Sequence, residues 1–164
     1  MKVEDVLFGR RIRQNHALEH ATITILSGMV PNLSISARSS SRGFIIFGDV
    51  DLGLLRQAVN EALRRLQAGE AELAIHPNCG TNLVIGVSLM ALGTMLGMAS
   101  SKPRTRIAST AASSLAGLMA ARPVGEFVQK HVTTLPDLDG VHVTDISRRK
   151  LLGFTVIDVR TVQE

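Results

Sequence analysis

Between Leu83 and Ser100 the chain runs for eighteen residues, LVIGVSLMALGTMLGMAS, without one charged side chain. A helix of that length and apolarity is about what the hydrocarbon core of a bilayer accommodates. Ser101-Lys102-Pro103-Arg104-Thr105-Arg106 interrupts the run with basic charge, and Ile107 to Ala121 is uncharged again, though shorter and rich in Ser, Thr and Ala. Two apolar helices joined by a short basic turn make a hairpin. Gly93 and Gly97, with Ala112, Ala116 and Gly117 opposite, would let its arms approach closely, as small residues do in membranes. The reading is a bilayer-inserted hairpin over residues 83–121. The rival is a soluble hairpin buried in a homo-oligomer, favoured by the absence of Trp and Tyr to mark the interfaces.

Lys102, Arg104 and Arg106 argue for a cytoplasmic loop, whereas Arg64, Arg65, Arg122 and Lys130 flank the other side of the hairpin. No apolar stretch of signal-peptide length precedes Arg10-Arg11-Ile12-Arg13. The single cysteine, Cys79, excludes an intrachain disulfide and suits a reducing compartment. Together these predict a cell-membrane protein whose globular part is cytoplasmic.

A chain of 164 residues with 20% charged side chains is folded, and most simply one domain plus an accessory element. Lys and Arg exceed Asp and Glu by only 18 to 14, and the five Phe are scattered, so a stacking nucleic-acid surface is not expected. Val3, Val6, Leu7 and Phe8 form a partly apolar lead-in. The arginines at 10, 11 and 13 read as a solvated face, with lipid phosphates as the other partner.

Asn15 is a good N-cap for a first helix that stops at Ser27-Gly28, and Pro31-Asn32 marks a turn. Leu33 to Arg38 alternates apolar and polar as a half-buried strand does. Ser39 to Gly43 connects it to a second strand, Phe44 to Phe47. Asp49 or Asp51 opens a second helix whose Leu52, Leu55, Val59, Leu63 and Leu66 fall at three- and four-residue steps. Ala71 to His76 reads as a third strand. Past the hairpin, Pro123 ends the apolar arm, Val124 to His131 makes a short helix, and 141–146 and 153–159 are two strands across Ser147-Arg148-Arg149-Lys150. The expected class is α+β (α/β in the broad sense): a mixed sheet with two helices on one face, interrupted by an inserted apolar helical hairpin. The divisions are 1–80, 81–122 and 123–164.

The chemistry concentrates at Asn15-His16-Ala17-Leu18-Glu19-His20. On a helix His16 and His20 lie one turn apart on one face, and Glu19 stands three residues from His16. Two imidazoles so spaced can grip a zinc ion, and the carboxylate between them can take a proton from metal-bound water. This His-x-x-Glu-His pattern is the inverted zinc-protease motif. A second cluster follows the expected third strand, His76-Pro77-Asn78-Cys79-Gly80, a His and a Cys three residues apart in a tight turn. His76 and Cys79 supply a third and a fourth ligand; His131 and His142 are fallbacks.

The order of helix with His-x-x-Glu-His, strand, Ser-rich hairpin, strand and amphipathic helix over residues 15–68 resembles the start of pitrilysin-type zinc proteases. That resemblance implies His16 and His20 as zinc ligands and Glu19 as catalytic base. The third ligand of those enzymes is a downstream Glu, and no acidic residue occurs here between Glu72 and Glu126. Across its whole length the chain also resembles an uncharacterised bacterial membrane-protein family, a domain of unknown function, through RQNHALEHATI, HPNCGTNL and QKHVTTLPDL.

Three functions follow from these residues. The first is a membrane-tethered zinc-dependent peptidase acting on a peptide substrate, with Glu19 as general base. The second is a non-catalytic metal-stabilised membrane module or subunit, since a zinc bound by His16, His20, His76 and Cys79 is closed to water. The third has no metal, with His and Glu tied into a polar network between the first helix and the turn at 76–82.

Overall fold

Two things organise the polypeptide: a buried, largely polar helix laid on an antiparallel sheet, and an apolar hairpin that in sequence falls between the second and third strands. The computed structural model describes residues 9–99, 103–151 and 153–163; the lead-in residues Val3, Val6, Leu7 and Phe8, and Ser101 and Lys102 of the hairpin turn, lie outside them. The described chain divides into two compact units. One holds the residues up to His76 together with those from Lys130 on, and the other is Pro77–Gln129.

In the first unit α1 (Arg10–Met29) begins five residues before Asn15, the expected cap, where Gly9 at φ 65° turns the chain into the helix. Asn15 is fully occupied elsewhere: its Nδ2 donates to Ser40 O at 2.8 Å and its Oδ1 accepts from Thr161 Oγ1 at 2.7 Å. From Arg13 to Thr22 almost every side chain of α1 is buried, five of them polar or charged before Thr22 itself. Burying such groups is costly unless they are hydrogen-bonded. Arg13 donates to the carbonyls of His131 and Thr134, and Gln14 Nε2 donates to Asp137 O at 2.6 Å. The arginine cluster is therefore only partly a solvated face. Arg11 is exposed, Arg10 pairs with Asp137 at 2.9 Å, and Arg13 is in the interior.

The strands are β1 (Ser36–Ser40), β2 (Gly43–Phe47), β3 (Val141–Leu151) and β4 (Phe154–Gln163), in the order β1-β2-β4-β3 with every pairing antiparallel. The α+β class expected is what forms, but the sheet is antiparallel throughout rather than mixed. β1 begins three residues later than its alternating pattern, because its partner ends at Phe47, opposite Ser36, where Gly48 at φ 137° redirects the chain. Ser147 to Lys150 is strand and not turn. Its polar residues occupy exposed positions of β3, and the reversal falls at Gly153, φ 87°. Gly43 is required by contact as well as by its φ of 132°, since a Cβ there would lie 1.9 Å from Val159 O.

Asp51 caps α2 (Leu52–Gln67), its Oδ1 accepting from Leu54 N–H at 2.9 Å. Leu55, Ala58, Val59, Ala62 and Leu66 of α2 join Ala17, Leu18, Ala21 and Leu26 of α1 in one core with Phe44, Ile46, Ile146, Ile157 and Val159 of the sheet. Both helices thus cover one sheet face. The expected third strand, Ala71 to His76, is a 3₁₀ turn at Ala71–Ala74. Its adjacent residues Leu73 and Ala74 are both buried, which a strand cannot arrange against one face, and its amides bond locally (Leu73 N to Glu70 O, Ile75 N to Glu72 O).

In the second unit α3 (Gly80–Met98) and α4 (Pro103–Val128) pack side by side. Gly93, Gly97 and Gly117 lie at the contact: Cβ atoms there would come within 2.2 Å of Ser113 O, 2.3 Å of Thr110 Cα and 2.3 Å of Leu89 O. Ala112 and Ala116, expected to face α3, are exposed instead, and Ser113 and Thr110 take their place. Hydroxyls join the arms, Thr94 Oγ1 with Ser114 Oγ at 2.8 Å and Ser109 Oγ to Gly97 O at 2.9 Å. Pro123 does not end the arm. Gly86 meets Ala121 before it and Gly125 meets Asn82 after it, so packing on both sides carries α4 through a residue that costs about 3 kcal/mol in a helix. The expected short helix Val124 to His131 is the end of α4 continued by a π turn, Gln129–Thr133. Outward-facing positions carry Leu83, Val84, Val87, Met95, Leu115 and Met119, all more than half exposed. Among the described residues α3 is the helix long and apolar enough to cross a membrane, and only 17% of its apolar window is buried.

Candidate metal centre

α1 brings His16, Glu19 and His20 together on one face, as their spacing requires. The two imidazole rings meet edge to face with centroids 4.3 Å apart. A ring nitrogen of one lies no more than 4.8 Å from a ring nitrogen of the other. Ligands sharing one tetrahedral zinc at about 2.1 Å stand roughly 3.4 Å apart, so a small ring rotation suffices.

The hydrogen bonds of these rings are more telling than their separation. His16 Nδ1 lies 3.0 Å from Thr133 O, and His20 Nδ1 lies 2.7 Å from Ala74 O. A carbonyl oxygen has no proton to give, so each Nδ1 is the donor, and in the neutral ring Nε2 then carries the lone pair. A backbone carbonyl on the far nitrogen is the usual way a metal-ligating histidine is oriented. In sequence, Ala74 and Thr133 stand just before and just after Pro77–Gln129.

Glu19 is buried, at 6% exposure, and its Oε2 accepts from Ser39 Oγ. Burial raises its pKa above the ordinary carboxylate value, opposed by the hydrogen bond from Ser39 and by the electrostatic interaction with His16. A carboxyl beside two imidazoles is of the type that exchanges protons in acid–base chemistry. His76 lies with its ring centroid 5.8 Å from that of His20. Burial, and secondarily His20, hold its pKa below the ordinary value, a shift that favours the neutral ring. Cys79, not disulfide-bonded and buried, lies three residues further on, in the second unit; its Sγ accepts from Thr81 N–H at 3.4 Å as the cap of α3. The fallback residues His131 and His142 sit in the π turn and on exposed β3, and neither joins a ligand cluster among the described residues.

Sequence spacing placed the three α1 residues but passed over their supports. Ser39 reads as a loop residue and the carbonyls of Ala74 and Thr133 have no side-chain signature.

No solved structure matches the chain. An uncharacterised protein of Picosynechococcus sp. (strain ATCC 27264 / PCC 7002 / PR-6) is 34% identical over 134 residues, which cover 75% of this chain. The chain spans about two-thirds of that relative, 65% of its length. Residues 11–146, which include α1, the hairpin and most of the first unit, match a family model described as a domain of unknown function, DUF6391. The chain belongs to the DUF6391 family.

Proposed function

We propose that this protein is a membrane-tethered zinc-dependent peptidase in which His16 and His20 hold the metal and Glu19 is the general base. The observation that supports the metal reading is the pair of Nδ1–H bonds to backbone carbonyls, which leave both Nε2 lone pairs available to a metal. The neutral ring of His76 and the thiol of Cys79, close to it in sequence, are the donors proposed to complete the set. A zinc ion held there would supply a Lewis acid and a strongly acidified water. Glu19 would take that water's proton on its carboxylate and pass it to the leaving nitrogen as the C–N bond breaks, so that hydroxyl adds to carbon and hydrogen to nitrogen. The apolar outer faces of α3 and α4, with hydroxyls and glycines turned inward, support a hairpin seated in a lipid bilayer.

The test has two parts. Protein extracted with detergent from carbonate-washed membranes should carry about one equivalent of zinc by elemental analysis, and His16→Ala should lose it. Zinc-loaded protein should cleave a fluorogenic peptide mixture, and Glu19→Gln should not. A protein that leaves the membrane on washing, or arrives without metal, contradicts the corresponding half.

The burial of His20 and Glu19, at 1% and 6% exposure, favours a second reading, a closed structural zinc that stabilises a non-catalytic membrane module. In that case Glu19 only orients a ring, and Glu19→Gln should weaken zinc binding by about 10- to 100-fold.

A further inference from the structure

We infer that Ser39 is the residue that positions Glu19 for acid–base work, an assignment that rests on the hydrolytic reading of the site. Asn15 and Glu19 stand one turn apart on α1 and reach consecutive residues of β1. Asn15 Nδ2 donates to Ser40 O at 2.8 Å, and Ser39 Oγ donates to Glu19 Oε2. Asn15 Oδ1 also accepts from Thr161 Oγ1 on β4 at 2.7 Å, so helix and sheet are pinned together one turn from the carboxylate. The strand register puts Ser39 opposite Phe44, a buried core residue, which holds Ser39 Cα at a set height over α1.

A glutamate has three side-chain torsions, and its terminal carboxylate rotates broadly unless a partner stops it. With Oε2 engaged by Ser39, the carboxylate plane is set and Oε1 is the oxygen left to exchange a proton with water and leaving group. Proton transfer needs heavy atoms within roughly 2.6–3.2 Å, so losing that orientation should slow the chemical step while leaving peptide binding intact. The bond from Ser39 goes to the carboxylate, whereas the carbonyls that orient the two rings are those of Thr133 and Ala74, so zinc should stay.

The experiment compares zinc-loaded full-length wild type with Ser39→Ala and Ser39→Thr in detergent, using the same fluorogenic peptide mixture. Alanine should lower kcat about 10- to 100-fold with KM and zinc affinity unchanged, and threonine, which keeps the hydroxyl, should restore most of it. A parallel readout free of turnover is acetohydroxamate binding to cobalt-loaded protein, followed by its visible spectrum; Glu19 accepts the hydroxamate proton, so Ser39→Ala should bind it at least tenfold more weakly. A Ser39→Ala protein whose kcat per folded molecule equals wild type, or which sheds zinc instead, overturns the assignment. Wild type that holds zinc but cleaves nothing removes the hydrolytic reading; Ser39 is then decided by the hydroxamate titration, where equal affinities in all three proteins overturn it. Wild type that binds neither zinc nor cobalt overturns both.

Discussion

Replacing Gly93 by alanine adds a single methyl group, and the geometry says where it must go. The new Cβ would lie 2.2 Å from Ser113 O and 2.6 Å from Ser113 C, both backbone atoms of α4. Ordinary contact is about 3.4 Å or more, so the two helices must separate locally by roughly an ångström. No side-chain rotamer relieves this, because both clashing partners are main chain. The separation also stretches Thr94 Oγ1 to Ser114 Oγ, 2.8 Å, one residue away on each arm. Overpacking of this kind costs about 1–3 kcal/mol, and an interhelical hydroxyl bond in a membrane contributes about 0.6 kcal/mol on average. The expected loss is therefore about 2–4 kcal/mol. With no Trp or Tyr to report, the assay is disulfide trapping between Thr94→Cys and Ser114→Cys in a Cys79→Ser background, across a titration with SDS in mixed micelles. In this background, which lacks the Thr94–Ser114 hydroxyl bond, Gly93→Ala should still lose cross-linking at a clearly lower SDS fraction than its parent, through the overpacking alone, about 1–3 kcal/mol. Ala112→Leu, on the exposed face, should match the parent. Identical midpoints for the Gly93 variant and its parent would refute the close backbone approach on which the hairpin packing depends.

Other outcomes test the remaining parts of the account. Glu19→Gln should retain zinc while turnover of the peptide mixture falls by on the order of 10²- to 10⁴-fold, and a variant that loses zinc would favour the closed site. Gly43→Ala should cost several kcal/mol, above the usual range of about 0.5–3 kcal/mol for single substitutions, because it clashes with Val159 O at 1.9 Å while φ is 132°; a chemical-denaturation midpoint within error of wild type would contradict the β2–β4 packing. Stripping zinc with a chelator should lower the thermal midpoint of the wild type, since metal at a hundredfold excess over Kd stabilises a site by about 2.7 kcal/mol, and should leave His16→Ala unmoved. Asp51→Ala should cost about 1 kcal/mol through the lost cap on Leu54 N–H, and a neutral change would show that the N–H finds another acceptor.

Periodicity alone determined much of the molecule. The stripe Leu55, Val59 and Leu66 behind Asp51 defined α2 and its buried face, because 3.6-residue spacing admits no other regular solution. The charge-free run over 83–100 determined an apolar helix, and His16-x-x-Glu19-His20 determined which three groups would share a face of α1. Other outcomes depended on partners distant in the chain. Ala71 to His76 has strand composition, yet it packs Leu73 and Ala74 against the core of α1 and α2 and gives the carbonyl of Ala74 to His20. Pro123 has a local cost that only contacts between the arms, at Gly86 and Gly125, outweigh. Asn15 has the propensity of a cap but was drawn inward by Ser40, 25 residues away, and Thr161, 146 residues away. The same holds at the candidate centre: the ligating type of each residue is written in the sequence, whereas the tautomer of each ring and the orientation of Glu19 depend on Thr133, Ala74 and Ser39, brought there by the fold. Side-chain identity carries chemistry locally, but a hydrogen bond to a main-chain carbonyl leaves no trace in residue type, and only the tertiary structure decides it.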